Sequence, residues 1–69
     1  MDLVSIAELV SARRKYLNLR QEDLAEMSGI TVRTLYNIEE GTGNPSLKTL
    51  HKLCEVLGLE INIGIKKVS

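Results

Sequence analysis

Along most of the chain the apolar positions recur every three or four residues. Ile6, Leu9, Val10, Arg13 and Leu17 fall on one face at helical spacing, which predicts a first helix over residues 5–17. Ser5 and Glu8 have capping-box spacing at its start, and Val4 with Leu9 fits a hydrophobic staple. A second helix is expected over residues 21–28, with Leu24 and Ala25 inward, and Glu22 and Asp23 in the first turn, where carboxylates favour the positive end of the helix dipole. Gly29 suits its stop. Thr31 is a fitting N-cap for a third helix ended by Gly41. In a fourth, Asn44 would be the cap and Pro45 the first helical residue; Leu47, Leu50, Leu53, Cys54 and Leu57 form the apolar stripe before Gly58. The period then switches from roughly 3.6 residues to 2, as Leu59, Ile61, Ile63 and Ile65 alternate with Glu60, Asn62, Gly64 and Lys66.

That alternation predicts one C-terminal strand with no second strand in the chain to pair with, and an unpaired strand leaves a row of backbone groups without partners. The expectation is therefore a mainly α protein: a helical domain over residues 1–58 and a dimerisation strand and tail over residues 59–69. The strand would pair with its symmetry mate, antiparallel because two-fold symmetry makes it so, with Leu59, Ile61, Ile63 and Ile65 covering the seam.

Size supports this. A chain of 69 residues has room for one domain only, and with two Tyr as its sole aromatic bulk its core needs help from very regular helices or from oligomerisation. The single Cys54 forms no internal disulfide, and the first twelve residues carry Asp2 and Glu8 before any basic residue, unlike a secretory leader, so a cytoplasmic location is expected. No apolar run approaches membrane-spanning length, so no membrane partner is expected. His51 and Cys54 sit three apart on the fourth helix, but two ligands do not make a zinc site; neither metal nor cofactor is expected. The glycines mark helix ends, the acids are spread over solvent faces, and no nucleophile with an adjacent base occurs, which argues against an enzyme.

Two short helices joined by a tight turn at Gly29-Ile30 form a helix-turn-helix arrangement. At about 100° per residue, Arg33, Tyr36, Asn37 and Glu40 point outward from the third helix while Leu35 and Ile38 point inward. Such a helix fits the major groove. There Arg33 could give a bidentate bond pair to guanine, Asn37 the equivalent to adenine, and Val32 an apolar contact to a thymine methyl. The hydroxyl of Tyr36 could reach a base or equally a phosphate.

The segments Ala12-Arg13-Arg14-Lys15, Leu17-Asn18-Leu19, Gln21-Glu22-Asp23-Leu24-Ala25, Ser28-Gly29-Ile30, Ile38-Glu39-Glu40-Gly41 and Asn44-Pro45-Ser46-Leu47 resemble the phage-repressor-like (Cro/C1, Xre-type) DNA-binding family over about residues 5–58. The resemblance implies a four-helix lambda-repressor-like fold with base-reading positions at Val32, Arg33 and Asn37. It also implies phosphate contacts at Gln21 and along the loop from Thr42 through Asn44 to Ser46, to which Thr34, Lys48 and Arg20 can add. Arg20 stands where relatives often have Thr or Ser as a cap. Arg14 could touch phosphate, but the family pattern implies that it pairs with Glu39. Double-stranded DNA with a palindromic operator is the implied partner, read by a homodimer whose recognition helices lie about 34 Å apart. A short helical domain ending in one strand also resembles the antitoxins of Hip-type kinase modules, which implies a toxin protein as the alternative partner.

Zero net charge stands against nucleic acid, whose binders are usually basic. Its distribution is uneven: Arg13, Arg14, Lys15 and Arg20 form a stretch without acids, and acids collect on the second helix and at Glu39-Glu40. Contacts from backbone amides add to this without any side-chain charge.

Overall fold

Most of the helices start where a side-chain oxygen can take up a free amide. The computed structural model describes residues 2–66. Helix α1, Leu3–Tyr16, starts at Asp2, whose Oδ1 accepts the Ser5 amide at 2.8 Å. This replaces the Ser5 cap expected from sequence: Asp2 offers the same acceptor plus a negative charge at the positive helix end, so the helix extends back to it. The Ser5 amide in turn holds the Asp2 carboxyl below its ordinary value. In α3, Val32–Glu39, Thr31 Oγ1 accepts the Thr34 amide at 3.1 Å.

Helix α4, Leu47–Leu57, is capped by Ser46, whose Oγ accepts the Thr49 amide at 3.1 Å, so Asn44 and Pro45 lie in the preceding loop. The expected Asn44 cap is displaced because Ser46 Oγ takes the Thr49 amide, which starts the helix after Pro45 and not at it. Helix α2, Gln21–Ser28, follows Arg20, which has no acceptor to offer. Asp23 serves instead, its Oδ2 taking the Arg20 backbone N–H at 2.9 Å.

The α1–α2 turn passes through Asn18 in the left-handed region, φ 58°, with the Leu19 amide donating to the Arg14 carbonyl at 3.0 Å. Leu24, Leu35, Leu53 and Leu57 are fully buried, and Ala7, Val10, Ala25 and Ile38 complete the core. Helix α1 thus buries Ala7 and Val10, with Ile6 packed against the core at its edge. Leu9, expected on the inward face, is 54% exposed, and Tyr16 is 73% exposed. Leu47, expected inward on α4, is also exposed. The inward edges of these helices are set by Ala7 with Val10 and by Leu53 with Leu57, and Leu9 and Leu47 lie well round from them.

Beyond Gly58 the expected strand is not formed: no β-strand occurs among the described residues, and residues 59–66 have no regular secondary structure. A ladder needs a second extended backbone, and among the described residues all the other long elements are helices. Leu59 packs against the core and Ile61 is half-buried, leaving Ile63 and Ile65 exposed. Residues 67–69 of the expected 59–69 segment lie outside the described residues. No helix among the described residues is long and apolar enough to cross a membrane.

Candidate nucleic-acid interface

The candidate reading face is built by α3. Leu35 and Ile38 anchor one side of this helix in the core, which turns Val32, Arg33 and Tyr36 to solvent and leaves Asn37 half-buried beside the following loop. Thr34, Asn37, Thr42, Gly43, Asn44 and Pro45 line a cleft of about 200 Å³ between α3 and the α3–α4 loop. The loop is tied to the helix by the Gly41 amide, which donates to the Ile38 carbonyl at 3.1 Å, and by the Thr42 amide and Oγ1, which both donate to the Asn37 carbonyl, at 3.0 and 3.2 Å. Four expected contact residues, Thr34, Asn37, Thr42 and Asn44, are therefore brought together. Lys48 is not among them; it lines a separate groove with Leu47, His51, Ile61 and Ile63.

Two more expected phosphate contacts, Arg20 and Gln21, have intramolecular partners, as Thr34, Thr42 and Ser46 do. The Arg20 guanidinium donates from Nε and Nη2 to Asp23 at 3.1 Å while remaining 74% exposed, and the same pair holds the Asp23 carboxyl below its ordinary value. Gln21 Nε2 donates to Glu39 Oε1 at 3.3 Å. Glu39 is the centre of a larger arrangement. Arg14 grips it with two bonds, Nε to Oε2 at 2.7 Å and Nη2 to Oε1 at 2.8 Å, and the side chains are only 12% and 5% exposed. Burial alone would raise the Glu39 carboxyl; the Arg14 guanidinium, with Gln21 and Ser11, brings it below its usual value. The remaining Arg14 nitrogen, Nη1, donates to the Leu19 carbonyl at 2.9 Å.

A further role was invisible in the sequence. Arg13 Nε donates to the Leu57 carbonyl at 2.8 Å, and its guanidinium lies over the Tyr16 ring at 5.0 Å from the centroid. A cation at the last carbonyls of α4 suits the negative end of that helix. Forty-four positions separate the two residues, so no local pattern signals the contact. The basic stretch read from sequence is thus largely spoken for: Arg13, Arg14 and Arg20 each have an acceptor. Arg33 has none among the described residues. Among those residues, too, no three His, Cys, Asp or Glu side chains gather as metal ligands.

A family model described as helix-turn-helix matches residues 10–63, which spans all of α2, α3 and α4. The chain belongs to the helix-turn-helix family of Cro/C1 (Xre) type. An uncharacterised HTH-type transcriptional regulator of Methanothermobacter thermautotrophicus is 42% identical over 52 residues, covering 75% of each chain. The ImmF control region 10 kDa protein of Bacillus phage phi105 is 30% identical over 63 residues, 91% of this chain and 70% of that one. Among solved structures, the restriction-modification controller protein C.AhdI of Aeromonas hydrophila superposes with a TM-score of 0.79 at 33% identity, covering 84% of this chain and 88% of that one. This helix-turn-helix protein is accordingly a DNA-binding transcriptional regulator of mainly α fold and not an enzyme. The same relatives do not favour the antitoxin alternative.

Proposed function

We propose that the protein is a cytoplasmic repressor that reads a palindromic operator as a homodimer. Arg33 carries this reading: of the four arginines it alone is left without an acceptor among the described residues, and it stands at the middle of the exposed face of α3. With Val32, Tyr36 and Asn37 it reads base edges in the major groove. Arg20, Gln21, Thr34, Thr42, Asn44, Ser46 and Lys48 follow the backbone, several of them beside the free amides at the starts of α2 and α4, which suit phosphate.

Dimerisation is supported by apolar surface away from α3. Ile6, Leu9, Leu47, Leu50, Leu59 and Ile61 line one pocket, where Leu9 and Leu47 are 54% and 58% exposed. With so few cations free for phosphate, tight binding requires two subunits on one duplex. The test is selection of sites from random-sequence duplex DNA, with sedimentation of the protein alone. The expected result is an inverted repeat bound by a dimer, with affinity falling steeply as salt rises. Recovery of no preferred sequence, or a monomer bound to a single half-site, refutes the proposal.

A further inference from the structure

We propose that Glu39, clamped by Arg14, is a positioning residue that aims the Gln21 carboxamide at the DNA backbone and fixes its distance from the reading residues of α3. The inference rests on Gln21 being a backbone contact.

Gln21 is the first residue of α2, where backbone amides are free to meet a phosphate. A glutamine at such a place ordinarily swings among rotamers, and holding it in one on binding loses entropy. Here it is anchored beforehand. A carboxylate only accepts, so the Gln21 atom 3.3 Å from Glu39 Oε1 is the amide nitrogen. One Nε2 hydrogen is thereby used, and the other remains as the donor for phosphate.

The anchor is itself fixed. Both Glu39 oxygens are occupied by Arg14, at 2.7 and 2.8 Å, and the carboxylate is nearly buried. Arg14 Nη1 also binds the Leu19 carbonyl at 2.9 Å, so one guanidinium steadies the turn leading to Gln21 as well as the residue that orients its side chain. Glu39 is carried in the last turn of α3, the helix that bears Arg33 and Asn37. One carboxylate therefore joins α1, α2 and α3, and it sets how far the backbone grip lies from the base readers.

The test is a mutant cycle on the duplex recovered by site selection. Arg14→Met with Glu39→Met removes the pair without stranding a charge, and Gln21→Met removes the amide. Each change is expected to weaken binding about tenfold, or 1.4 kcal/mol, in line with one hydrogen bond to a charged group. The three changes together should weaken it no more than Gln21→Met alone. A purely structural pair would instead give multiplying losses, and that outcome, or no loss on replacing the pair, overturns the positioning role. If Gln21→Met binds like the wild type, the backbone reading of Gln21 fails and the positioning role falls with it.

A second measurement leaves the pair intact. In the free wild-type protein the two Gln21 side-chain amide proton NMR resonances should be displaced from the pair of shifts that an exposed glutamine gives, marking an ordered carboxamide bonded to Glu39. Resonances averaged like those of an exposed glutamine overturn the proposal without reference to any variant's stability.

Discussion

Removing either member of the Arg14–Glu39 pair should be far more damaging than removing both. The two bonds are short, 2.7 and 2.8 Å, and the side chains are 12% and 5% exposed, so the pair is governed by desolvation and not by solvent screening. Truncating one partner of such a pair costs about 3 to 5 kcal/mol, because the other charge stays buried without compensation. A domain of this size has in total roughly 0.05 to 0.15 kcal/mol per residue, so Arg14→Met or Glu39→Met alone removes a large part of its stability. Replacing both by Met exchanges an ion pair for apolar contacts of similar volume and is expected to shift stability by less than about 1 kcal/mol. Urea unfolding followed by far-UV circular dichroism measures all four proteins of the cycle. In Arg14→Met the Glu39 carboxyl loses what holds it down, so its titration should move up and that variant should gain stability on mild acidification. Single variants that each lose less than about 1 kcal/mol would show that the pair behaves like an exposed one and would refute the reasoning.

Other perturbations test other contacts. Arg33→Ala and Asn37→Ala should each relax discrimination at one base position by about 1 to 3 kcal/mol, read by competition between the selected duplex and single-base variants; unchanged preference at every position would remove them as readers. The carboxyls of Glu39 and Asp23 titrate below their ordinary values in the folded protein, so the stability they contribute is present above the unfolded carboxylate range and disappears as pH falls through their folded values. Denaturation midpoints should thus be level from neutrality to about pH 5 and decline below it. Gly58→Ala should lower the thermal midpoint by the equivalent of about 1 kcal/mol, since the residue has φ 71° and an added Cβ would lie 3.4 Å from Arg13 Nη2. Truncation after Gly58 should convert a sedimenting dimer to a monomer if the apolar face around Leu59 and Ile61 is the subunit contact.

The helices and the outward face of α3 were legible in the sequence because both follow from local periodicity: Leu35 and Ile38 define the buried edge, and Arg33, Tyr36 and Asn37 must then face away. Helix starts were less legible. Asp2 and Ser5, or Asn44 and Ser46, are all able to cap, and the choice depends on geometry that single-residue preference does not contain. The alternation after Gly58 separates apolar from polar positions but does not fix a conformation. Leu59 and Ile61 satisfy their burial against helices, and hydrogen-bonded pairing would require a second backbone. Charge was the least legible. Arg13, Arg14 and Arg20 look alike in sequence, yet one caps a helix end, one is buried on a carboxylate and one is held by its neighbour three residues on. Those differences arise only when distant segments meet.

The contact between Arg13 and the Leu57 carbonyl has a mechanical consequence. It fastens the end of α4 to α1, while the next residue, Arg14, fastens α1 to the reading helix and to the turn before α2. Two adjacent arginines thus make α1 a link between the segment that leaves Gly58 and the half of the molecule proposed to face DNA. A load applied to the C-terminal segment reaches the recognition helix through these side chains. Cutting Arg13 alone would remove this tie and leave the packing of Leu53, Leu57 and Leu59 in the shared core as the remaining link between the two ends.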